Sequence, residues 1–520
     1  MIALHGSTRR TVLAGGIAAA FSEAVVGKPA ASTIDCKAGR FVGERLAGGV
    51  SRFLGIRYGR AARFQAPRPE PAANSAVRAV AFGPTAPQRS RRGPQSEDCL
   101  FLNIWTPAAR SSARLPVMVY IHGGAYAFGS ATDPVCDGAR LAEQGAVVVT
   151  VNHRLNAFGY LYLAGIHPGF PDSGNAGQLD LILALLWVRR NIAAFGGDAN
   201  RVTTFGDSGG GAKVTTLLAM PQAAGLLHRA ATMSGQQVTV SGPLNATRRT
   251  RAFLAHLGMS ERDLSALLTS PSERVLEGLA AVDPVHGGPV YFGPVLDHAN
   301  LSRHPFWPDP HPQSLAIPLM TGNARDEMRA FVDPDSPFVR EMSWDNLANR
   351  IGDELPVDVS PQWIVAEYRR QLPTASPADI YFTATTAGRS WRGQLEVAEA
   401  RARAGRPSWV YQVDFTSRAD PRRGAFHCID LPLVFGTFDM PGADTGSDAA
   451  VRLMSRTMQS RFLAFARHGD PNLSDAPAWP VYDLVRRATM VFDVNSRTQD
   501  NPRAWQRELF ARAPYRQPGS

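Results

Sequence analysis

A strand, a glycine-rich turn and a helix follow one another without a break between residues 201 and 220. Residues 201–206 form a β-branched, apolar run, Gly206-Asp207-Ser208-Gly209-Gly210 comes next, and residues 212–220 have helical spacing. Side chains on both flanks of Ser208 would collide with neighbouring backbone in so tight a connection. The glycines therefore predict a sharp, strained strand-to-helix turn with Ser208 at its apex.

Short strand-like runs alternate with longer helical patterns along the rest of the chain. The helical pattern at 179–195 stops at Gly196-Gly197, a common helix end. The other predicted strands are residues 115–121, 146–152, 316–322, 409–415 and 490–494. Strands separated by helices predict an α/β fold, with a mostly parallel central sheet and helices on both faces.

Composition and charge exclude several classes of protein. The 520 residues are 44% hydrophobic and 19% charged, which is typical of a folded globular chain. The formal net charge of +10 comes almost wholly from arginine, and no basic run is interleaved with aromatics, so nucleic acid is not an expected partner. No segment beyond the N terminus holds eighteen uncharged apolar residues, which argues against stable membrane insertion. The oligomeric state stays open.

The first residues have the layout of an export signal. Arg9-Arg10 directly precede the apolar, small-residue stretch 12–21, as in a twin-arginine signal. We expect residues 1–31 to be this signal and the protein to be periplasmic or secreted. A disordered terminus on a cytoplasmic protein is the alternative, because Glu23 interrupts the apolar stretch and no clean cleavage site follows.

The cysteines indicate neither a metal site nor a disulfide framework. There are four, and none forms a C-x-x-C pair or a Cys/His cluster with zinc-ligand spacing. Export would permit a disulfide, but the sequence does not fix its pairing. The four positions are Cys36, Cys99, Cys136 and Cys428.

Two glycine-rich segments carry the chemistry that the turn suggests. The helix after Ser208 offers backbone N–H groups and the positive end of its dipole to a developing oxyanion. Upstream, His122-Gly123-Gly124-Ala125-Tyr126 follows a strand end, and its paired glycines let more N–H groups turn toward the same point. A glycine-rich loop without a role is the plain alternative for this upstream segment.

Longer motifs resemble the type-B carboxylesterase and cholinesterase family. Residues 96–107 (SEDCLFLNIWTP) look like its second signature, and residues 175–208 look like its first with the lead-in. The resemblance extends from about residue 39 to about residue 492. It implies an α/β-hydrolase fold and hydrolysis of carboxylic esters through an acyl-enzyme, without a metal or organic cofactor.

The resemblance also assigns roles residue by residue. Glu327 falls at the acid of a D-E-G motif, and His427 falls at the base of H-x-x-E-L-P-x-V-F-G. The order Ser208, Glu327, His427 is the one that this fold requires. Asp326 is the alternative acid.

In this scheme His427 takes the Ser208 proton and returns it to the leaving alcohol, while Glu327 orients the imidazole. Family position makes the N–H groups of Gly124, Ala125 and Gly209 the oxyanion hole.

Four positions depart from the family pattern. Asp207 stands where glutamate is commoner, Gly209 where alanine is commoner, and Met328 replaces the glycine of D-E-G. Ala86 occupies the place of a family cysteine whose partner would match Cys99, so the resemblance implies that this disulfide is absent.

Several other residues fall near the expected site without a part in the chemistry. His122 matches a structural position of the oxyanion loop, by which we mean residues 122–126. Ser234 matches a position behind the site, and His468 matches a C-terminal loop. Cys428 adjoins the base and is expected to pack, not to react. Five aromatic residues are candidates for lining the acyl or alcohol pocket, and for each we favour core packing instead: Phe128, Phe292, Trp307, Phe331 and Trp391.

The middle of the chain, residues 240–310 and 335–405, is rich in proline and polar residues and lacks the strand–helix rhythm. We predict helical excursions over the catalytic face within one domain of residues 32–520, with a separate second domain as the alternative. Two functional alternatives also remain: amide, carbamate, thioester or lactone hydrolysis by the same residues, and a non-catalytic binding protein of the same fold.

Overall fold

The computed structural model describes residues 30–90, 93–355 and 357–517. The arginine pair and apolar stretch of the predicted export signal lie outside these residues. The first described strand begins at Ala30, so the last two residues assigned to the signal are part of it.

A single large sheet runs through the described residues. Its main strands lie in the order β1-β2-β3-β4-β6-β5-β7-β8-β9-β10-β11-β12, and the short strand Val77–Arg78 pairs with β2. A separate pair joins Gly59–Arg60 to Arg68–Pro69. The main strands are β1 Ala30–Cys36, β2 Gly39–Arg45, β3 Ser51–Arg57, β4 Phe101–Thr106, β5 Leu115–Ile121, β6 Val147–Val151, β7 Gly197–Asp207, β8 Arg229–Met233, β9 Leu319–Ala324, β10 Ser408–Val413, β11 Ala488–Phe492 and β12 Arg497–Asp500.

The centre of the sheet is parallel and its margins are antiparallel. Strands β6, β5, β7, β8, β9, β10 and β11 pair in parallel, while β1 to β4 and β12 pair antiparallel with their neighbours. The predicted mostly parallel sheet is confirmed. The sequence patterns did not predict β1 to β4, β8 or β12. Strands β1 and β2 alternate exposed and buried residues and lack a continuous apolar run.

Helices cover both faces of this sheet. On β5, Val117, Val119 and Ile121 pack in a cluster with residues of α3 and α4, and Met118 and Tyr120 pack in another with residues of α14. The helices are α1 Ala139–Glu143, α2 Asn156–Tyr160, α3 Ala176–Asn191, α4 Gly209–Leu217, α5 Pro243–His256, α6 Leu264–Thr269, α7 Ser272–Glu277, α8 Pro337–Arg340, α9 Leu347–Glu354, α10 Pro361–Gln371, α11 Pro377–Thr386, α12 Arg392–Arg403, α13 Asp430–Phe435, α14 Ala449–His468 and α15 Ala504–Phe510.

The predicted boundaries hold best where the chain is most apolar. Strand β5 has the predicted bounds, but α4 begins at Gly209, three residues earlier than predicted, because the turn at Ser208 is a single residue. The prediction of a strand from residue 316 was wrong at its start. Residues Pro312–Ala316 form a 3₁₀ turn, and β9 begins only at Leu319.

Each of the two middle segments contains helices, although residues 281–310 hold none. Helix α5 contributes Phe253 to a cluster that includes Tyr126 and Ala212. Helices α9 to α12 contribute Ile351 and others to a cluster that includes Met328. In the described ranges, none of the helices is both long and apolar enough to cross a membrane.

Candidate active site

Ser208 occupies the single-residue turn between β7 and α4. Its backbone has φ 49° and ψ −124°, a conformation that an L-residue adopts only under strain. Two hydrogen bonds stabilise this conformation: the Ser208 N–H donates to the Met233 carbonyl at 2.7 Å, and the Ser208 carbonyl accepts from the Ala212 N–H at 3.1 Å. The side chain is thereby lifted to the carboxyl edge of the sheet.

The predicted oxyanion donors meet at the same edge. Gly124 and Ala125 both have left-handed backbone, with φ 84° and 52°, and neither N–H donates to an acceptor among the described residues. Gly209, the first residue of α4, lies directly against Ala125: a Cβ at 209 would come within 2.1 Å of the Ala125 carbonyl oxygen. The segment that holds Gly124 and Ala125 therefore lies against the residue that directly follows Ser208.

Glu327 and His427 form the predicted pair. Glu327 follows β9, is fully buried, and its Oε2 bonds the Nδ1 of His427. Its Oε1 accepts from the Ala324 N–H at 2.7 Å and from the Asn323 amide at 3.2 Å, which fixes the carboxylate. The imidazole Nε2 is buried and has no hydrogen-bond partner in the described part of the chain.

The residues under His427 are acidic and buried. Burial by itself would lower the pKa of His427, but the charge and hydrogen bond of Glu327, with help from Asp207 and Asp430, raise it. Burial raises the pKa of Asp430 to about 7, although Tyr411 donates to this carboxyl at 2.7 Å. A charged imidazolium is thus favoured at this position.

Asp207 links the turn to the histidine loop. Tyr120 donates to its carboxylate at 2.6 Å, and the same carboxylate raises the pKa of both His427 and Cys428. Aspartate at this position therefore acts electrostatically on the loop that carries the base. Cys428 has a pKa raised well above the ordinary value, chiefly by burial, so its thiol stays protonated.

The alternative acid, Asp326, is engaged elsewhere. Its carboxylate accepts from the Ala425 N–H at 3.0 Å and pairs with Arg325 at 3.4 Å. Met328 fits where the family has glycine, because its side chain packs in the cluster with α9 to α12 and its N–H donates to Thr386. His468, the last residue of α14, is exposed at the helix end.

The region behind Ser208 is tightly built. Ser234 is buried with φ 54°, and its Oγ has no hydrogen-bond partner among the described residues. Gly235 packs so closely that a Cβ would lie 1.6 Å from the Ser208 carbonyl oxygen. His122 is buried in the oxyanion loop, where its Nδ1 donates to the Gly123 carbonyl at 2.9 Å.

The expectation of core packing held for two of the five aromatic residues and was wrong for three. Phe292 and Trp391 are buried, whereas Phe128, Trp307 and Phe331 are more than half exposed. The Phe331 ring lies 5.0 Å from the His427 ring, centroid to centroid. An exposed aromatic cannot be told from a buried one by residue type alone, so the sequence held no signal for this difference.

One charged residue of the site escaped the sequence analysis. Lys213 is fully buried on α4, and its Nζ donates to the His122 carbonyl at 3.1 Å. A lysine five residues after the serine, within an otherwise apolar helix, was the signal that could have found it.

The four cysteines are free thiols, and the described residues hold no group of three or more His, Cys, Asp or Glu side chains placed to bind a metal ion. The arrangement supports acyl transfer through chain residues: a strained serine, an oriented imidazole, and Gly124 and Ala125 N–H groups without an acceptor among the described residues.

Known proteins share this whole arrangement of elements. The profile of the carboxylesterase family matches residues 30–510. Para-nitrobenzyl esterase of Bacillus subtilis is 35% identical over 483 residues, covering 88% of this chain and 94% of that protein. Phenmedipham hydrolase of Pseudarthrobacter oxydans is 32% identical over 492 residues, covering 86% and 93%.

The crystal structure of the Geobacillus stearothermophilus carboxylesterase Est55 superposes with a TM-score of 0.82 at 35% identity, covering 92% of this chain and 99% of that one. The predicted α/β-hydrolase fold and ester-hydrolysing activity are confirmed by these relatives. The chain belongs to the carboxylesterase family and is a carboxylic ester hydrolase.

Proposed function

We propose that Ser208 is the nucleophile, His427 the general base and acid, and Glu327 the residue that orients His427. One observation supports this assignment: Glu327 holds Nδ1 of His427 and leaves Nε2 without a hydrogen-bond partner among the described residues, while Ser208 stands in a strained turn after a neighbouring parallel strand. Parallel neighbours β7, β8, β9 and β10 end at the same edge of the sheet, so residues far apart in sequence meet there.

In the first step Nε2 takes the proton of Ser208 as Oγ bonds to the ester carbonyl carbon. The carbonyl electron pair moves to oxygen, and the N–H groups of Gly124, Ala125 and Gly209 hold the resulting oxyanion. The pair returns as the C–O bond to the alcohol breaks, and His427 donates its proton to the leaving oxygen. Water repeats the sequence on the acyl-enzyme and releases the acid.

We propose small neutral esters with an aromatic alcohol portion as substrates. The leaving oxygen must lie beside His427, because His427 protonates it, and the exposed ring of Phe331 lies 5.0 Å from that imidazole, centroid to centroid. The exposed Phe128 follows the oxyanion loop and offers a second apolar contact. The relative named para-nitrobenzyl esterase agrees with an aromatic alcohol. Nucleic acid is not among the proposed partners.

The test compares wild type with Ser208→Ala on p-nitrophenyl acetate and benzyl acetate. The variant should lose about 10⁶-fold in kcat while keeping its circular dichroism spectrum, since nucleophile removal abolishes the acyl-enzyme. Full activity in Ser208→Ala, or organophosphate labelling at another residue, would remove the assignment. The matching anilide tests the bond: hydrolysis at the ester rate would extend the function to amides.

We also propose export through a twin-arginine route, with a periplasmic or secreted enzyme as the product. Arg9-Arg10 and the stretch 12–21 support it. Replacing both arginines by lysine should trap the full-length chain in the cytoplasm of an expression host. Unchanged distribution between cytoplasm and periplasm would favour the cytoplasmic alternative.

A further inference from the structure

Lys213 is an exception in the composition of this chain. The sequence has three lysines among 55 basic residues, and one of them lies five positions after Ser208 with no exposed surface. An isolated buried ammonium is costly, so its retention needs a partner or a task. An arginine, which this chain uses almost everywhere else, would bring a planar group with five donors into the same space.

The ammonium of Lys213 contacts the oxyanion loop. Nζ donates to the carbonyl of His122 at 3.1 Å and lies 5.5 Å from the centroid of the Tyr126 ring. These two residues bracket Gly124 and Ala125, the predicted donors. The His122 ring is itself fixed, since it stacks on His153 at 4.6 Å and its Nδ1 donates to the Gly123 carbonyl.

We propose that Lys213 is a positioning residue for the oxyanion hole: its ammonium anchors the His122 carbonyl and the Tyr126 ring and thereby aims the N–H groups of Gly124 and Ala125. The inference rests on the proposed function, because it presumes that these N–H groups stabilise the oxyanion formed on attack by Ser208. It makes no claim that Lys213 touches substrate.

The charge of Lys213 gives this anchor a pH dependence. Burial lowers the pKa of Lys213 to about 7, and the carboxylate of Asp207 partly opposes that shift. The other titratable groups facing it are His122 and His153, whose pKa values burial lowers, and Tyr126, whose pKa burial raises, so all three are neutral at the pH of an assay. The ammonium therefore becomes a neutral amine above about pH 7, which donates more weakly to the His122 carbonyl.

The experiment measures kcat and KM of wild type, Lys213→Met and Lys213→Gln on p-nitrophenyl acetate from pH 6 to pH 9. Lys213→Met, which has no donor, should lower kcat by about tenfold to a hundredfold with KM nearly unchanged, since misaimed donors act on the transition state. Lys213→Gln keeps a neutral donor and should recover part of this loss. The ratio of wild-type to Lys213→Gln kcat should fall toward one as pH rises through 7, because the wild-type ammonium loses its charge there. Titration of His427 occurs in both proteins and cancels in this ratio.

Val214→Ala is the matched control, since Val214 is the next residue on α4 and packs in the sheet core away from the loop. Val214→Ala should lower thermal stability without changing the pH profile of kcat.

Either of two results would overturn the proposal. One is a kcat for Lys213→Gln equal to that of wild type at every pH. The other is a loss of kcat that is independent of pH and is matched by Val214→Ala. If Lys213→Met fails to fold, the pH-dependent ratio with Lys213→Gln decides alone. Activity remaining in Ser208→Ala would instead refute the proposed function, so the two failures are distinguishable.

Discussion

The two sides of Ser208 carry buried charge of opposite sign. Under His427 lie the carboxyl groups of Glu327, Asp430 and Asp207, whereas under the oxyanion loop lies the ammonium of Lys213. In the proposed reaction the imidazole becomes positive and the carbonyl oxygen becomes negative. The carboxyl groups therefore complement the positive charge that forms on the imidazole, and the ammonium complements the negative charge that forms on the carbonyl oxygen. Both pairs lie in buried surroundings, where charges interact strongly.

The sides also differ in how they are built. The acidic side is assembled from residues that follow β7, β9 and β10, and each carboxylate is fixed by named donors. The loop side depends on backbone shape: left-handed residues at Gly124 and Ala125, pressed against Gly209. Changes on the acidic side should alter pH dependence, and changes on the loop side should alter kcat through geometry.

The largest effect is expected on the acidic side, for Glu327→Gln. Loss of the carboxylate leaves His427 in the wrong tautomer, and kcat should drop by about 10³- to 10⁴-fold. Because the Glu327 charge raises the pKa of His427, the acidic limb of kcat/KM should also move to lower pH in the variant. Asp326→Asn is the matched control on p-nitrophenyl acetate, and an equal loss there would make Asp326 the acid.

On the loop side, Gly209→Ala restores the residue that the family uses more often, yet it should harm this enzyme. The new Cβ would lie 2.1 Å from the Ala125 carbonyl oxygen and 2.3 Å from its Cα, so the loop must shift. We expect kcat to fall by about tenfold to a hundredfold. Gly242→Ala, at φ −70° with open space around it, should leave kcat unchanged. Wild-type activity in Gly209→Ala would show that the loop adapts freely.

Asp430→Asn should change pH dependence more than rate. The pKa of Asp430 is raised from 3.8 to about 7, so the folded protein binds this proton more tightly than the unfolded chain does. The free energy of unfolding of the wild type, relative to the variant, should therefore fall as the pH rises from about 4 to about 7. Loss of the carboxylate should also shift the acidic limb of kcat/KM to lower pH. Urea unfolding at pH 4 and pH 8 measures the first effect, and identical differences at both values would contradict it.

The smallest effect is expected for Tyr126→Phe. The hydroxyl donates to Gln237 at 2.9 Å in a buried setting, and its loss should cost about 1 kcal/mol of unfolding free energy. The ring that lies near Lys213 remains, so kcat should change little. A rate loss as large as that of Gly209→Ala would show that the hydroxyl, too, holds the loop in shape.

Several elements of the site follow from local sequence. The glycines around Ser208 indicate a sharp turn because only small residues fit there, and the structure has Ser208 at φ 49° between β7 and α4. The apolar run of β5 predicts its strand bounds, since burial on both faces leaves no polar interruption. The marginal strands β1 and β2 were not predicted, because most of their side chains are exposed or half-buried.

The sequence by itself determined the alternation of central strands and helices, the turn at Ser208 and, through long motifs, the choice of Glu327 and His427. Only the tertiary structure decided what surrounds them: the exposure of Phe128 and Phe331, the approach of Gly209 to Ala125, and the anchoring of the oxyanion loop by Lys213. These features depend on contacts between segments up to about ninety residues apart in sequence. Local pattern carries backbone preference, whereas burial and charge environment are properties of the packed fold.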